Sequence, residues 1–200
     1  MSLSKYEQVI KLIDDANAKD IKIEQDENGN DVPKELIYGQ RMAEMIERFA
    51  PNADEVNKIA VRGQHIQRWT SPRSDFPMNR KGYHLWRTQL YSYHAETVAG
   101  LMEQVDYDEE SIERVKLAIG KKKIKTNTDT QMLENIAAMV FIEYYMQAMA
   151  DKFDEYSEEK WIDIIQKTWR KMDASAQQFT LGGNVKLPEP LVPLIQKALA

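Results

Sequence analysis

Apolar residues recur three and four positions apart along most of the chain, and no run alternates convincingly with a period of two. The pattern predicts helix almost throughout, with at most a trivial strand content. Residues 4–17 place Tyr6, Ile10, Leu12, Ile13 and Ala16 near the helical period, with an end marked by Asn17 and Asp20. Glu24 to Pro33 contains Asp-Glu-Asn-Gly-Asn-Asp and then proline, which reads as a loop. The helix after Pro33 has Leu36, Ile37, Met42, Met45, Ile46 and Phe49 on its apolar face, and Pro51 stops it. Asn52 or Asp54 can cap the next helix, predicted to run to about Trp69 before Thr70-Ser71-Pro72 ends it. Pro72 to Gly82 reads as an ordered loop.

A long helix over about Tyr83–Val105 follows, then a shorter one over roughly 108–120 with Gly120 as its C-cap. Thr128 or Asp129 opens the most apolar helix, whose Leu133, Ile136, Ala137, Val140, Phe141 and Tyr144 are expected to centre the core. Helices over Ser157–Met172, near 174–181 and after Pro190 complete the chain. The fold class expected is all-α: one multi-helix bundle domain over residues 1–200, with no internal repeat.

Composition is that of a globular protein, 42% hydrophobic and 30% charged. The absence of cysteine excludes disulfides, thiolate zinc sites and a cysteine nucleophile, and suits a reducing compartment. With no signal peptide and no apolar window of membrane-spanning length, a cytoplasmic protein without membrane contacts is expected.

Charge changes the picture because it is segregated. Lys58 to Tyr91 holds seven cations and the single acid Asp75, and Lys116 to Thr128 holds five lysines and no acid. Segments of +6 and +5 within a net charge of −5 leave −16 for the remainder, a pattern suited to a local anion site. On the helix carrying Arg-Gly-Gln-His-Ile-Gln-Arg-Trp, the residues Val56, Ile59, Ala60 and Gly63 share one face and His65 lies opposite, beside Arg62, Arg68 and Trp69. Histidine next to arginines is suited to binding an anion. His94 sits between Leu90 and Val98 on an apolar stripe, where a buried ring bonded to backbone or to a tyrosine competes with a functional role. Arg73, Arg80 and Arg87 can extend the pocket, although each alone is also an ordinary surface cation. Lys121, Lys122 and Lys123 follow a helix end, where the dipole already accounts for cations; Lys122 is the ligand candidate among them. Glu134 can pair with a core Arg or His, or act as an acid or base if burial raises its pKa.

Arg62-Gly63-Gln64-His65-Ile66-Gln67-Arg68-Trp69, Pro72-Arg73, Gly82-Tyr83, Trp86-Arg87, His94-Ala95, Gln131-Met132-Leu133-Glu134-Asn135 and Lys167-Thr168-Trp169-Arg170-Lys171-Met172 together resemble domain-of-unknown-function family 4202 over nearly the whole chain. That resemblance implies no established activity. More loosely, the chain resembles the HD-type metal-dependent phosphohydrolases, implying an HD-domain-like helical fold. The doublet position there reads Gln64-His65, lysine replaces the next histidine and Asn135 the last aspartate, which removes most hard metal ligands. Lys171-Met172-Asp173-Ala174-Ser175 and Gln64-His65-Ile66 resemble glutamyl-tRNA synthetase motifs, but the chain has neither strands nor length for that enzyme's parallel-sheet domain.

The leading expectation is a basic His/Arg cleft that binds or hydrolyses a phosphorylated metabolite or nucleotide, as an unusual HD-like phosphohydrolase if it is an enzyme. Arg62, Arg68, Trp69, Arg73, Arg87 and Lys122 are the ligand-binding candidates; His65, His94 and Glu134 are the catalytic ones. No metal ligand set and no cofactor is implied. The alternatives are an RNA- or tRNA-associated module that stacks bases on Tyr83, Trp69 and Trp86, and a helical protein-interaction module.

Overall fold

The computed structural model describes residues 3–122 and 126–200, so Lys123 and Lys125 of the second basic segment lie outside the described residues. Among the described residues the architecture is helical, apart from one small hairpin. Helix α1 covers Lys5–Asn17 and begins at a capping box, in which Ser4 Oγ accepts from Glu7 N and Glu7 reaches back to Ser4 N. The expected loop after α1 contains strands β1 (Ile23–Gln25) and β2 (Asp31–Pro33), paired antiparallel with Glu24 opposite Val32. Asp26 closes the turn by accepting from Asn28 N and Asn30 N, with Gly29 at φ +79°. Turn residues dominate that stretch and only three residues per strand pair, so its polarity pattern carries no strand signal.

Helices α2 (Lys34–Phe49), α3 (Glu55–Gly63), α4 (Arg80–Glu103), α5 (Glu109–Ile119) and α6 (Thr128–Val140) form the packed centre. Asp54, Asn79, Asp108 and Asn127 cap the last four, each side chain accepting from a backbone N–H of the first turn. Helix α6 packs against α2, α3 and α5, and contributes the fully buried Leu133, Ile136 and Met139. These meet Ile13, Met42, Met45, Ile46, Ile59 and Met102 in one continuous core. The chain ends in α7 (Met146–Lys152), α8 (Glu158–Trp169), α9 (Ala174–Phe179) and α10 (Val192–Leu199).

Three local departures from the sequence pattern shape the site. Helix α3 ends at Gly63, not near Trp69: a turn carries Gln64–Gln67, with Gln67 in the left-handed region at φ +51°, before a short 3-10 turn over Arg68–Thr70. Long-range contacts hold this break, since Asn17 Oδ1 accepts from Gln67 N at 2.9 Å and Tyr93 donates its hydroxyl to Gln67 Oε1 at 2.9 Å. Helix α4 starts three residues earlier than expected, because Asn79 accepts from Gly82 N at 2.8 Å; a Cβ on Gly82 would lie 2.0 Å from the Pro77 carbonyl oxygen. Helix α5 is closed by a Schellman motif in which Lys122 N donates to Leu117 O and Lys121 N to Ala118 O. Its left-handed residue is Lys121, at φ +52°, while Gly120 keeps right-handed helical angles. A non-glycine side chain there costs about 1 kcal/mol.

Candidate functional site

Both left-handed turns face the same hollow. A cavity of about 600 Å³ opens between α2, the turn after α3, α4, the end of α5, α6 and α8. Gly63 allows α3 to press against α4, since a Cβ there would come within 2.5 Å of Val98 Cγ2. The turn that follows thereby sets His65 beside His94, with ring centroids 6.0 Å apart.

His65 is held from three sides. Its ring stacks on Tyr38 with centroids 4.1 Å apart and planes 15° from parallel. Arg68 Nη1 lies 2.8 Å from Nε2, and a guanidinium can only donate, so Nε2 accepts and the proton of the neutral ring sits on Nδ1. Nδ1 in turn is 3.4 Å from Glu35 Oε2. Burial first, then the nearby charges of Arg68, Lys121 and Arg87, lower the His65 pKa well below its ordinary value and keep the ring neutral. Burial pushes the Glu35 carboxyl up, opposed by Arg68 and Lys34.

His94 is 2% exposed and projects from α4. Its Nδ1 lies 2.8 Å from the Ile66 carbonyl, which can only accept, so Nδ1 carries the proton and Nε2 is a bare lone pair. Among the described residues no group donates to that buried Nε2, nor to the buried Oε1 of Gln64. Burial, reinforced by His65, lowers the His94 pKa to about 3.

Among the described residues six cations line the cavity against two carboxylates. Lys34, Lys167 and Lys171 are exposed at its rim, whereas Arg68, Arg87 and Lys121 are drawn further in. Arg68 packs over Trp86 at 5.0 Å, and Arg87 contacts the hydroxyls of Tyr83 and Tyr91; among the described residues no carboxylate pairs with either guanidinium. Lys121 forms an ion pair with Glu134, both side chains being buried. Burial lowers the Lys121 pKa, an effect that Glu134 opposes. Five residues of π-helix, Phe141–Tyr145, interrupt the helical register after α6 and bring Phe141 and Tyr145 into the wall. The sequence pattern places Phe141 and Tyr144 with the buried face instead; both are half-buried.

Of the residues predicted for the site, His65, His94, Glu134, Arg68 and Arg87 come together around the cavity. Arg62 does not: it is buried on the α1 side, bonded through Nε and Nη2 to both oxygens of Asp14 at 2.7 Å each. The expectation that it flanks His65 assumes one continuous helix, and the break after Gly63 removes that neighbourhood. Arg73 folds back to donate to the carbonyls of Phe76, Pro77 and Asn79, Trp69 is half-buried outside the cavity, and Lys122 is exposed. Trp86 is 9% exposed, with its indole donating to Ser71 O and its face under Arg68, which withdraws it from stacking on a base.

Glu35, Tyr38, Gln64 and Tyr145, with the rim lysines Lys34, Lys167 and Lys171, are site residues that the sequence reading did not propose, and in the basic run it singles out Lys122 where Lys121 lines the cavity. A signal for two of them exists: Glu35 and Tyr38 stand seven residues before the core residues Met42 and Met45, on the same face of α2.

The residues do not fit the divalent centre of an HD-type enzyme. Asn135 is 1% exposed and bonded to Gln131 and Asp173, away from the cavity. Among the described residues no three His, Asp or Glu side chains converge as metal ligands. Asp173 of the synthetase-like segment caps α9 by accepting from Ala176 N at 3.0 Å. No helix among the described residues is long and apolar enough to cross a membrane. No curated protein and no solved structure matches the chain. A family model described as a domain of unknown function, DUF4202, matches residues 7–195, and the chain belongs to that family.

Proposed function

We propose that the cavity binds a phosphorylated small metabolite or nucleotide, and that the Glu35–His65 pair supplies acid–base chemistry to it as a phosphohydrolase. The observation that carries this reading is the placement of His65 between Glu35 and Arg68, in a cavity where the described cations outnumber the described carboxylates six to two. Arg68 and Arg87 have no carboxylate partner among the described residues, so an incoming phosphate gains charge-assisted bonds without displacing an internal acid. When Arg68 turns to the phosphate it releases His65 Nε2. As the water oxygen bonds to phosphorus and the ester P–O bond breaks, that lone pair takes the water proton; the imidazolium, held by its Nδ1–H donating to Glu35, then returns the proton to the leaving alkoxide. The volume also suits a small ligand rather than a lone ion.

Titration calorimetry against nucleotides, sugar phosphates and inorganic phosphate, run beside an assay of phosphate release, tests the reading. Binding at least tenfold tighter in wild type than in His65→Ala and Arg68→Met is expected, with release abolished in His65→Ala. If no anion distinguishes wild type from both variants, the site reading is withdrawn. Binding without release from any ester would retain the ligand site and remove the hydrolase.

A further inference from the structure

The cavity contains one group that an anion cannot serve. Because His94 Nδ1–H donates to the Ile66 carbonyl, Nε2 offers only a lone pair. The ring lines the cavity, is 2% exposed, and receives no donor at Nε2 among the described residues. A fully ionised phosphate brought against it would set lone pairs against a lone pair. Protonation does not relieve the conflict near neutrality, since burial, followed by the proximity of His65, holds the His94 pKa down at about 3. Gln64 Oε1, two residues before the carbonyl that orients His94, is a second buried acceptor in the same wall with no donor. The Glu35 carboxylate is a third acceptor beside them. Buried acceptors without donors are expensive, and a ligand that supplies the donors recovers that cost. The cavity, at about 600 Å³, has room for a body of that kind beyond a phosphate group.

Resting on the phosphate reading above, we propose that the ligand is a phosphate monoester whose organic part carries hydroxyl or amino donors, as in a phosphorylated polyol or a nucleotide, and that His94 Nε2 accepts from one of them and selects for it. His94 is thus a specificity residue, distinct in role from the proton-handling His65.

Calorimetry on the full chain with four probes tests this: inorganic phosphate, methyl phosphate, ribose 5-phosphate and AMP. Methyl phosphate has the ester but no donor on its organic part. Wild type is expected to bind ribose 5-phosphate or AMP about ten- to hundredfold more tightly than methyl phosphate, and the tighter of the two identifies which body the site takes. In His94→Phe the preference for ribose 5-phosphate or AMP over methyl phosphate should collapse to within about threefold, whatever change in affinity is common to all four probes; His94→Gln, which keeps an acceptor, should restore part of the preference.

A measurement that needs no variant stands beside these. In protein labelled with 15N-histidine, the His94 Nε2 resonance should move to lower frequency on saturation with the tighter ligand and stay put with methyl phosphate. Equal affinity for methyl phosphate, a preference that survives in His94→Phe, or an unmoved Nε2 resonance each overturns the proposal while leaving the phosphate site intact. Failure of every probe, inorganic phosphate included, overturns the phosphate reading and this one with it.

Discussion

Two polar clusters border α6 and obey different rules. At its N-terminal end, Arg114 donates to both oxygens of Asp129 at 2.8 and 2.9 Å and to Asp54 at 2.7 Å, while Asn57 bridges the same two aspartates. Every charged group there has an oppositely charged partner, one guanidinium serving two carboxylates, and Asp54 also caps α3. Around the cavity the balance fails: Arg68 and Arg87 face no carboxylate among the described residues, and His94 Nε2 and Gln64 Oε1 have no donor. Two left-handed turns, at Gln67 and Lys121, are maintained beside it. Polar groups satisfied from within serve the fold, whereas buried acceptors left wanting raise its energy until a donor is brought to them.

Acid gives the largest test of that contrast. His94 has a folded pKa of about 3 against an ordinary value near 6.5, so the unfolded chain binds the extra proton throughout that interval. Stability should therefore fall as pH drops below about 6.5, with His94 alone costing about 2 kcal/mol at pH 5 and roughly 4 kcal/mol by pH 3. His65, also lowered, adds in the same sense, while Glu35, whose pKa is raised, works oppositely and costs stability as pH rises through the carboxylate range. Denaturant midpoints of wild type and His94→Gln between pH 7 and 4 check the sign: the variant should lose much of the slope. Equal slopes would mean that the ring is not held neutral by its surroundings.

The matched cluster should behave differently. Arg114→Met strands the buried Asp129 carboxylate and is expected to cost roughly 2–3 kcal/mol, discounted because the arginine itself is more than a third exposed. Phosphate affinity should not change. A loss of phosphate binding in this variant at a temperature where it is folded would erase the division between the two clusters.

How far the sequence reaches follows the same division. Helices α1, α5 and α6 are legible because their caps and apolar spacings are local, α2 because its apolar spacing runs between Pro33 and Pro51, and the all-α class follows from them. His65 and His94 are legible as candidates, because charge segregation and an interrupted apolar stripe are visible in one dimension. The neighbours of His65 are not. They depend on a break held by Asn17 and Tyr93, which approach Gln67 from 50 and 26 residues away. That break sends Arg62 to Asp14 and Arg68 to the cavity, although the two arginines look equivalent on a helical wheel. The register shift at Phe141–Tyr145 is likewise invisible to a 3.6-residue pattern.

Relieving the cavity of a cation should invert the usual outcome of a mutation. Arg87→Met removes a guanidinium whose partners are the Tyr83 and Tyr91 hydroxyls and which stands near other cations. Stability is expected to stay within about 1 kcal/mol of wild type, on the favourable side at low salt, because like charges are separated and the methylene packing is kept. Phosphate affinity should fall about tenfold. A clear loss of stability in thermal melts would place Arg87 with the structural ion pairs instead.

The smallest effect is the most discriminating, because it separates neighbours that the sequence makes alike. Lys121 and Lys122 are adjacent members of one basic run, but the Schellman turn sends the first inward onto Glu134 and leaves the second in solvent. Lys122→Ala should alter stability by less than about 0.5 kcal/mol and phosphate affinity by less than about twofold. Lys121→Met should lower phosphate affinity about tenfold and leave Glu134 without its cation. Calorimetry on the two variants side by side decides whether the turn, rather than the net charge of the run, makes the site. Equal losses from both would mean that the basic segment acts as a diffuse field, and the division drawn between matched and unmatched clusters would not extend to this edge of the cavity.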